Sequence, residues 1–383
     1  MHVAFAHHEP IDATKARWSA ICRTLAAMAK QVPVTWLTPD TPARVDAFFE
    51  NELRLTRPIA LSVKTLPSIR RRLGITFNGV FFRACRKAVV AHKPQVLWLR
   101  SDKLAAYFAE TMQASTRPPI AYEAHLVGEL WAKDRGASDS SCQKIARLER
   151  AVYSGASAVA AITQGLLDEL VARFGFKGPT SVVPSAVDTE LFARCWSGAQ
   201  SNTVVYAGTL QFWKGLETLV RAIALKPALR LRVIGDGSDK ERAALRVLIH
   251  ELSLESRVEL TGRLPQHQIP AALANVACAV HPLPPQHSIA ARFTSPLKLF
   301  EYMALGLPIA ASDLPSVREV LRDGENSRLF EAGNAAALAD VLAELCSDKA
   351  LAGRLSAQAS RDAQEFTYEK RALRLLQLFA RVQ

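Results

Sequence analysis

The sequence predicts an α/β protein built from two consecutive doubly wound domains, each a parallel sheet covered by helices. Three observations carry this expectation. The chain has 383 residues, more than one ordinary hydrophobic core accommodates. Short apolar runs of strand length alternate with stretches of helical period along its length. The alternation pauses at Pro184–Phe192 (PSAVDTELF) and then restarts.

In the first half, Met1–Ala6 (MHVAFA) reads as a buried strand, and Lys15–Ala29 has helical spacing through Trp18, Ile21, Leu25 and Met28. Val32–Leu37, Gln95–Leu99, Ile120–Ala124 and Ala158–Ile162 read as further strands, with Phe77–Val90 a basic amphipathic helix between the first two. After the pause, Thr203–Ala207, Leu229–Ile234, Val258–Leu260, Ala277–His281 and Pro308–Ala311 read as strands. Gly215–Ala224, Lys240–Leu252, Pro270–Asn275 and Pro296–Ala304 read as the intervening helices. The tail from Arg361 reads as helical to the end, with Leu373, Leu375, Leu376 and Phe379 as its packing stripe. These limits divide the chain into residues 1–186, residues 187–365 and a terminal helix, 366–383, returning toward the first domain.

Composition narrows the class. Half of the residues are apolar and 22% are charged, which is ordinary for a globular protein. No apolar run reaches membrane-spanning length, and MHVAFAHHEP has neither the basic nor the apolar region of a signal peptide. Six scattered cysteines without a C-x-x-C pair point to a reducing cytoplasm rather than disulfides or a metal site. The net charge of +12 is concentrated: no acidic residue lies between Glu52 and Asp102, while Arg70, Arg71, Arg72, Arg83, Arg86 and Lys87 are among the basic residues there. Such a stretch suits an anionic membrane or acceptor, or is a solvated basic face. It lacks the interleaved aromatics of a nucleic-acid module, so nucleic acid is not an expected partner.

Three segments carry chemistry. In Tyr206–Gly215 (YAGTLQFWKG) a strand ends, Gly208 permits a tight turn, and Lys214 precedes a new helix; backbone N–H groups and an ammonium there make a phosphate site. Leu231–Gly237 (LRVIGDG) places Gly235 at another strand end, where open α/β sheets bind ligands. Thr294–Pro308 (TSPLKLFEYMALGLP) reads as a helix of about ten residues, with Ser295 as N-cap, Pro296 at the first helical position and Gly306 as C-cap. Lys298 lies in its first turn, the wrong end for a cation unless a phosphate is near. Glu301 can accept two hydrogen bonds from a ribose diol.

Taken in order, VVYAGTLQFWKGLETLVRA, LRVIGDG, VELTGRLPQHQIPAALANVACAVHP and SPLKLFEYMALGLPIAASDLPSVREVLRDGENSRLF resemble the donor domain of family 4 glycosyltransferases of the GT-B fold. LERAVYSGASAVAAITQGLLDEL and VVPSAVDTELF extend the resemblance back through the first half. It implies two Rossmann-like domains facing across a cleft, whose closure excludes water, and retaining transfer from a nucleoside-diphosphate sugar. By that resemblance Gly208, Thr209, Lys214, Gly235, Arg263, Ser295, Pro296, Leu297, Lys298 and Glu301 line the donor. Lys214 meets the diphosphate and Glu301 the ribose, the loop near Arg263 borders the base, and His125 lies near the reaction centre with Lys214.

This sequence departs from the family in three places. Phe293 replaces the first of two glutamates with seven residues between them, Thr209 replaces the arginine of the phosphate loop, and His7, His8, Glu9, Pro10 and Asp12 replace an N-terminal glycine-rich loop. Neither a metal nor a cofactor is expected: there is no D-x-D in the donor half and no His/Cys cluster, and the nucleotide sugar (UDP-, GDP- or another) is a substrate. The expected acceptor is a glycan or a lipid-linked or other cell-envelope molecule. The expected location is the cytoplasm or the inner face of the membrane. Two other classes stay open: another GT-B enzyme such as a nucleotide-sugar epimerase, and a non-catalytic subunit that keeps the donor fold. A donor-plus-acceptor assay separates the first, and donor hydrolysis counts against the second.

Overall fold

Runs of four or five consecutive buried residues have no solvent face to offer and become strands covered on both sides. A computed structural model describes residues 1–70, 76–198, 201–286 and 291–383. Its strands are β1 Val3–Ala6, β2 Val34–Thr38, β3 Leu61–Thr65, β4 Ile69–Arg70, β5 Thr76–Phe77, β6 Val96–Leu99, β7 Ile120–Ala124, β8 Ala158–Ala161, β9 Thr180–Val182, β10 Thr203–Ala207, β11 Arg230–Ile234, β12 Val258–Gly262, β13 Cys278–His281, β14 Ile309–Asp313 and β15 Arg328–Glu331. One sheet has the order β3-β2-β1-β6-β7-β8-β9 and the other β12-β11-β10-β13-β14-β15. Every pairing in both is parallel. The chain is thus two doubly wound α/β units. The short pair β4 and β5 is antiparallel and stands apart.

The units comprise Met1–Pro184 with Tyr368–Gln383, and Ser185–Thr367. In the first, aromatic rings fill the space under the sheet. Phe5 and Trp98 lie with ring centroids 4.6 Å apart, and Trp18 stacks on Trp36 at 6.2 Å. The helix Tyr368–Ala380 packs on the helix Ala16–Ala29 and brings Phe379 to 6.2 Å from Trp98. Its buried side is Tyr368, Arg371, Ala372, Leu375, Leu378 and Phe379. Leu373, expected in the stripe, is instead exposed, because the helix starts at Tyr368 and sets the phase. Nor is the tail helical from Arg361 onward: a helix ends at Ala363, a 3₁₀ turn follows, and Thr367 is extended and bridges to Val187.

In the second unit, Ser295 does not cap the following helix. That helix runs Leu297–Ala304, eight residues, with Pro296 in the capping position and no side-chain cap. The Ser295 hydroxyl accepts the Ser185 N–H at 2.9 Å, and the Ser185 hydroxyl donates to the Ser295 carbonyl at 2.5 Å. Gly306 is left-handed (φ +67°), as the expected C-cap requires.

Of the basic stretch, Arg71, Arg72 and Leu73 lie outside the described residues, and Arg70 is placed only as backbone in β4. Leu66 is 5% exposed and belongs to the core. Arg83, Arg86 and Lys87 are exposed on the helix Asn78–His92, where Arg86 donates to the Thr111 carbonyl at 3.2 Å.

Candidate functional site

In the second unit the strand order reverses between β10 and β13, and ligands of open α/β sheets bind beyond the carboxyl ends of the strands at such a point. The chain is compressed there. A Cβ on Gly235, whose φ is +144°, would lie 1.8 Å from the Gly208 carbonyl oxygen. One on Gly215 (φ +75°), just before the helix Leu216–Leu225, would lie 1.6 Å from the Pro282 carbonyl oxygen. Only glycine lets the loops after β10, β11 and β13 meet this closely.

Three basic side chains gather around these loops. Lys214 ends the 3₁₀ turn after β10, with its Nζ 3.6 Å from the centre of the Trp213 ring; burial pushes its pKa down to about 8. Lys298, in the first turn of the helix Leu297–Ala304, has its Nζ 3.8 Å over the Tyr206 ring and against Gly208. That ammonium is shut off from solvent and has no hydrogen-bond partner among the described residues. Burial, then the charge of Lys214, hold its pKa well below the usual lysine range, against a weaker opposite pull from Glu301. His281 ends β13, is fully buried, and has neither ring nitrogen bonded among the described residues. Burial and then Lys298 and Lys214 keep it neutral.

Like charges pressed together without partners are costly, and an anion received among them relieves the cost. Such a cluster of basic groups can receive an anion. Sequence reasoning missed His281, which hides at the end of an apolar strand (ACAVH); its only signal was position at a strand's carboxyl end.

The other predicted donor residues take the following places. Thr209 is exposed, its hydroxyl 3.2 Å from Gln211 Oε1, while the Tyr206 hydroxyl donates to its carbonyl at 2.7 Å. Glu301 lies one turn beyond Lys298, with Gln266 Nε2 3.4 Å from its Oε1. Tyr302 accepts the Ala207 N–H at 2.7 Å and so ties this helix to the end of β10. Arg263 is exposed beyond β12. Pro296 and Leu297 form the start of the helix. Phe293 is fully buried, with the Arg292 guanidinium 5.1 Å from its ring centre, so no carboxylate from that position reaches a ligand. Among the described residues, no group of three His, Cys, Asp or Glu could hold a metal ion.

The first unit carries its own constellation. Its order reverses between β1 and β6, where His8 Nδ1 lies 3.2 Å from the Ser101 hydroxyl and stacks on buried His7 at 5.6 Å. His125 follows β7 with a third of its side chain exposed. Its Nε2 lies 2.9 Å from Arg100 Nε and 2.8 Å from Glu123 Oε1. Dehydration and then the Arg100 charge push its pKa down to about 4, so the ring is neutral near pH 7. Glu123 is fully buried. Burial alone would raise its pKa, but the guanidiniums of Arg371 and Arg100 outweigh that and hold it well below the carboxylate range. Trp98 Nε1 donates to its other oxygen at 3.1 Å.

Residues 192–362 match the profile of a family described as glycosyl transferases group 1, and residues 15–186 that of a glycosyl transferase 4-like domain. A D-inositol 3-phosphate glycosyltransferase of Xylanimonas cellulosilytica is 26% identical over 61% of this chain and 58% of its own length. A phosphatidyl-myo-inositol mannosyltransferase of Mycobacterium leprae is 38% identical over 22% of each chain. The chain thus spans less than two thirds of these relatives. Among solved structures, a sucrose-phosphate synthase from Thermosynechococcus elongatus superposes with a TM-score of 0.78 at 19% identity, covering 99% of this chain and 98% of that one. HepE of Anabaena, in complex with UDP, gives 0.75 at 18% identity, over 99% and 100%. At these identities the superpositions speak for the fold.

Proposed function

Because this chain belongs to the family 4 glycosyltransferases of the GT-B fold, we propose that it transfers a sugar, with retention, from a nucleoside-diphosphate donor to a hydroxyl of a glycan, lipid-linked or other cell-envelope acceptor. The observation that carries this reading is the partnerless pair of Lys298 and His281 beside Lys214, at the reversal of the second sheet. A diphosphate supplies the acceptors and negative charge that these groups lack. Solved neighbours hold UDP or UDP-glucose, which puts uridine donors first among those to try.

Reaction breaks the bond between the anomeric carbon and the diphosphate oxygen, whose electron pair stays on the phosphate. Lys214 and Lys298 stabilise that charge where it develops. The acceptor oxygen bonds to the anomeric carbon from the same face, and its proton passes to the departing phosphate oxygen. His125, neutral and held by Arg100 and Glu123, serves as an oriented hydrogen-bonding group beside the sugar rather than as a charged acid.

A thermal-shift screen of UDP-, GDP- and ADP-sugars tests the reading. One nucleotide class is expected to raise the melting temperature in proportion to the logarithm of its concentration; no response to any of them would refute donor binding. Lys214→Ala is expected to lower turnover ~10²-fold while leaving nucleoside monophosphate affinity unchanged, since lysine matters most as the leaving charge grows. A rise in the Michaelis constant alone would show that the residue only binds. The Lys214 ammonium is present below about pH 8 and lost as pH rises through it, so kcat/KM of the free enzyme should fall on the alkaline side of that value.

Positive potential at the site comes from lysines and backbone N–H groups, so activity is expected to survive EDTA. Complete loss, restored by Mg²⁺ or Mn²⁺, would overturn this. The exposed Arg83, Arg86 and Lys87 support reversible docking at an anionic surface on the inner face of the membrane, at about 1 kcal/mol for each basic group. Co-sedimentation with anionic but not neutral vesicles, lost in the triple glutamate variant and in high salt, is the expected result; no binding at low salt refutes it.

A further inference from the structure

The C-terminal helix contributes a buried cation to the surroundings of His125. Arg371 is 6% exposed, although it sits 248 residues from Glu123 in sequence. Its Nη2 donates to Glu123 Oε1, its Nη1 to the carbonyl of Val183 at 2.8 Å and to that of Pro184, and its Nε to the Thr24 hydroxyl at 3.2 Å. The guanidinium is thereby fixed in orientation by four acceptors on three other segments. Glu123 Oε1, the oxygen it grips, is the one that faces His125 Nε2.

We propose that Arg371 is a positioning residue for the reaction: anchoring the Glu123 carboxylate from the C-terminal helix, it fixes the ring of His125 at the outer end of β7. A single ring nitrogen cannot both donate to Glu123 and accept from Arg100, yet Nε2 lies within hydrogen-bond distance of each. Which bond it makes depends on how much of the Oε1 charge is already committed. Arg371 takes part of that charge and so weakens the pull of Glu123 on the imidazole, while Arg100, permanently a donor, competes for the same nitrogen. The groups acting on His125 are Arg100 beyond β6, Glu123 on β7 and Arg371 on the last helix; Arg17 and Tyr122 act on Arg100 in turn. Arg371 and Arg100 oppose a charged imidazole and Glu123 favours it, so each substitution has a definite sign.

The test is an imidazole titration followed by NMR on the full chain with labelled histidine, the His125 signal being assigned with His125→Asn. In Arg371→Met the His125 titration is expected to move up. Turnover should fall ~10-fold or more, with donor affinity nearly unchanged. Arg371→Lys keeps the charge but cannot span Thr24, Val183 and Pro184, so it should restore the titration while the melting temperature stays low. Glu123→Gln should displace the titration the opposite way, downward, and gives a second reading if Arg371→Met does not fold. A His125 titration unmoved in the Arg371 variants, with only the melting temperature lowered, overturns the proposal and leaves Arg371 a clasp. This inference rests on His125 lying at the reaction centre. A moved titration with an unchanged rate would keep the coupling and remove that reading instead, so the two failures are distinguishable.

Discussion

Lys298→Met is expected to turn over its donor about 10²–10³-fold more slowly than the parent and yet to unfold at a higher temperature. The two effects share one cause. Among the described residues the Lys298 ammonium is out of solvent and without a hydrogen-bond partner, over the Tyr206 ring at 3.8 Å and near Glu301. Leaving a buried polar group unsatisfied costs about 1–3 kcal/mol, and the ring returns ~0.5–2 kcal/mol of that. Methionine fills the same unbranched volume without the charge. Net stabilisation on the order of 1 kcal/mol raises the melting temperature by roughly 2–4 °C in a domain of this size. The same ammonium is the one the leaving phosphate needs, so its removal falls on the transition state. Calorimetric melting and steady-state kinetics on the same preparation check both halves. A lower melting temperature would mean that the ammonium has partners in solution, and unchanged turnover would remove Lys298 from the reaction.

Glu301→Ala is expected to weaken nucleotide binding ~10²-fold or more, since two hydrogen bonds to a charged acceptor are each worth about 1.5–3 kcal/mol. The residue lies mid-way along the helix Leu297–Ala304, and alanine is a good helix former, so the fold should persist. The parent should discriminate against a 2′-deoxynucleotide and the variant should not. Calorimetry that finds equal affinity for the nucleotide in both proteins would end the ribose assignment.

The central strands and their helices were legible because they are apolar runs with period and punctuation, as in TVVYA and IAYEA, whose limits the structure reproduces at Thr203–Ala207 and Ile120–Ala124. Of the edge strands, β12 was legible at Val258–Leu260 and β3, β9 and β15 were not. In β3 (LSVKT) and β15 (RLFE) only one residue each is buried, and in β9 (TSV) none is, so the run of apolar residues that marks a strand is missing. Ser295 had the chemistry of a cap, but its hydroxyl is engaged by Ser185, 110 residues away, a competition no local pattern reveals. Glu123 was legible only as one letter in an apolar strand. Its partners Trp98, Arg100 and Arg371 come from distant segments, and what marks it, a carboxylate fully out of water, is a property of the folded chain. Lys298 was the exception: a cation at the wrong end of a helix is a conflict visible in sequence, and the structure gives that conflict a place beside Gly208.

The discontinuity of the first unit has a consequence for how the protein is made. Its sheet is complete in sequence by Pro184, but Tyr368–Gln383 belongs to it as well. A ribosome adding about 5–20 residues per second takes roughly 10–40 s to extend the nascent chain from Pro184 to Gln383. Through that interval Glu123 and the face of the helix Ala16–Ala29 await the helix that covers them, while Ser185–Thr367, an uninterrupted segment, emerges whole. The unit translated first is therefore the one finished last.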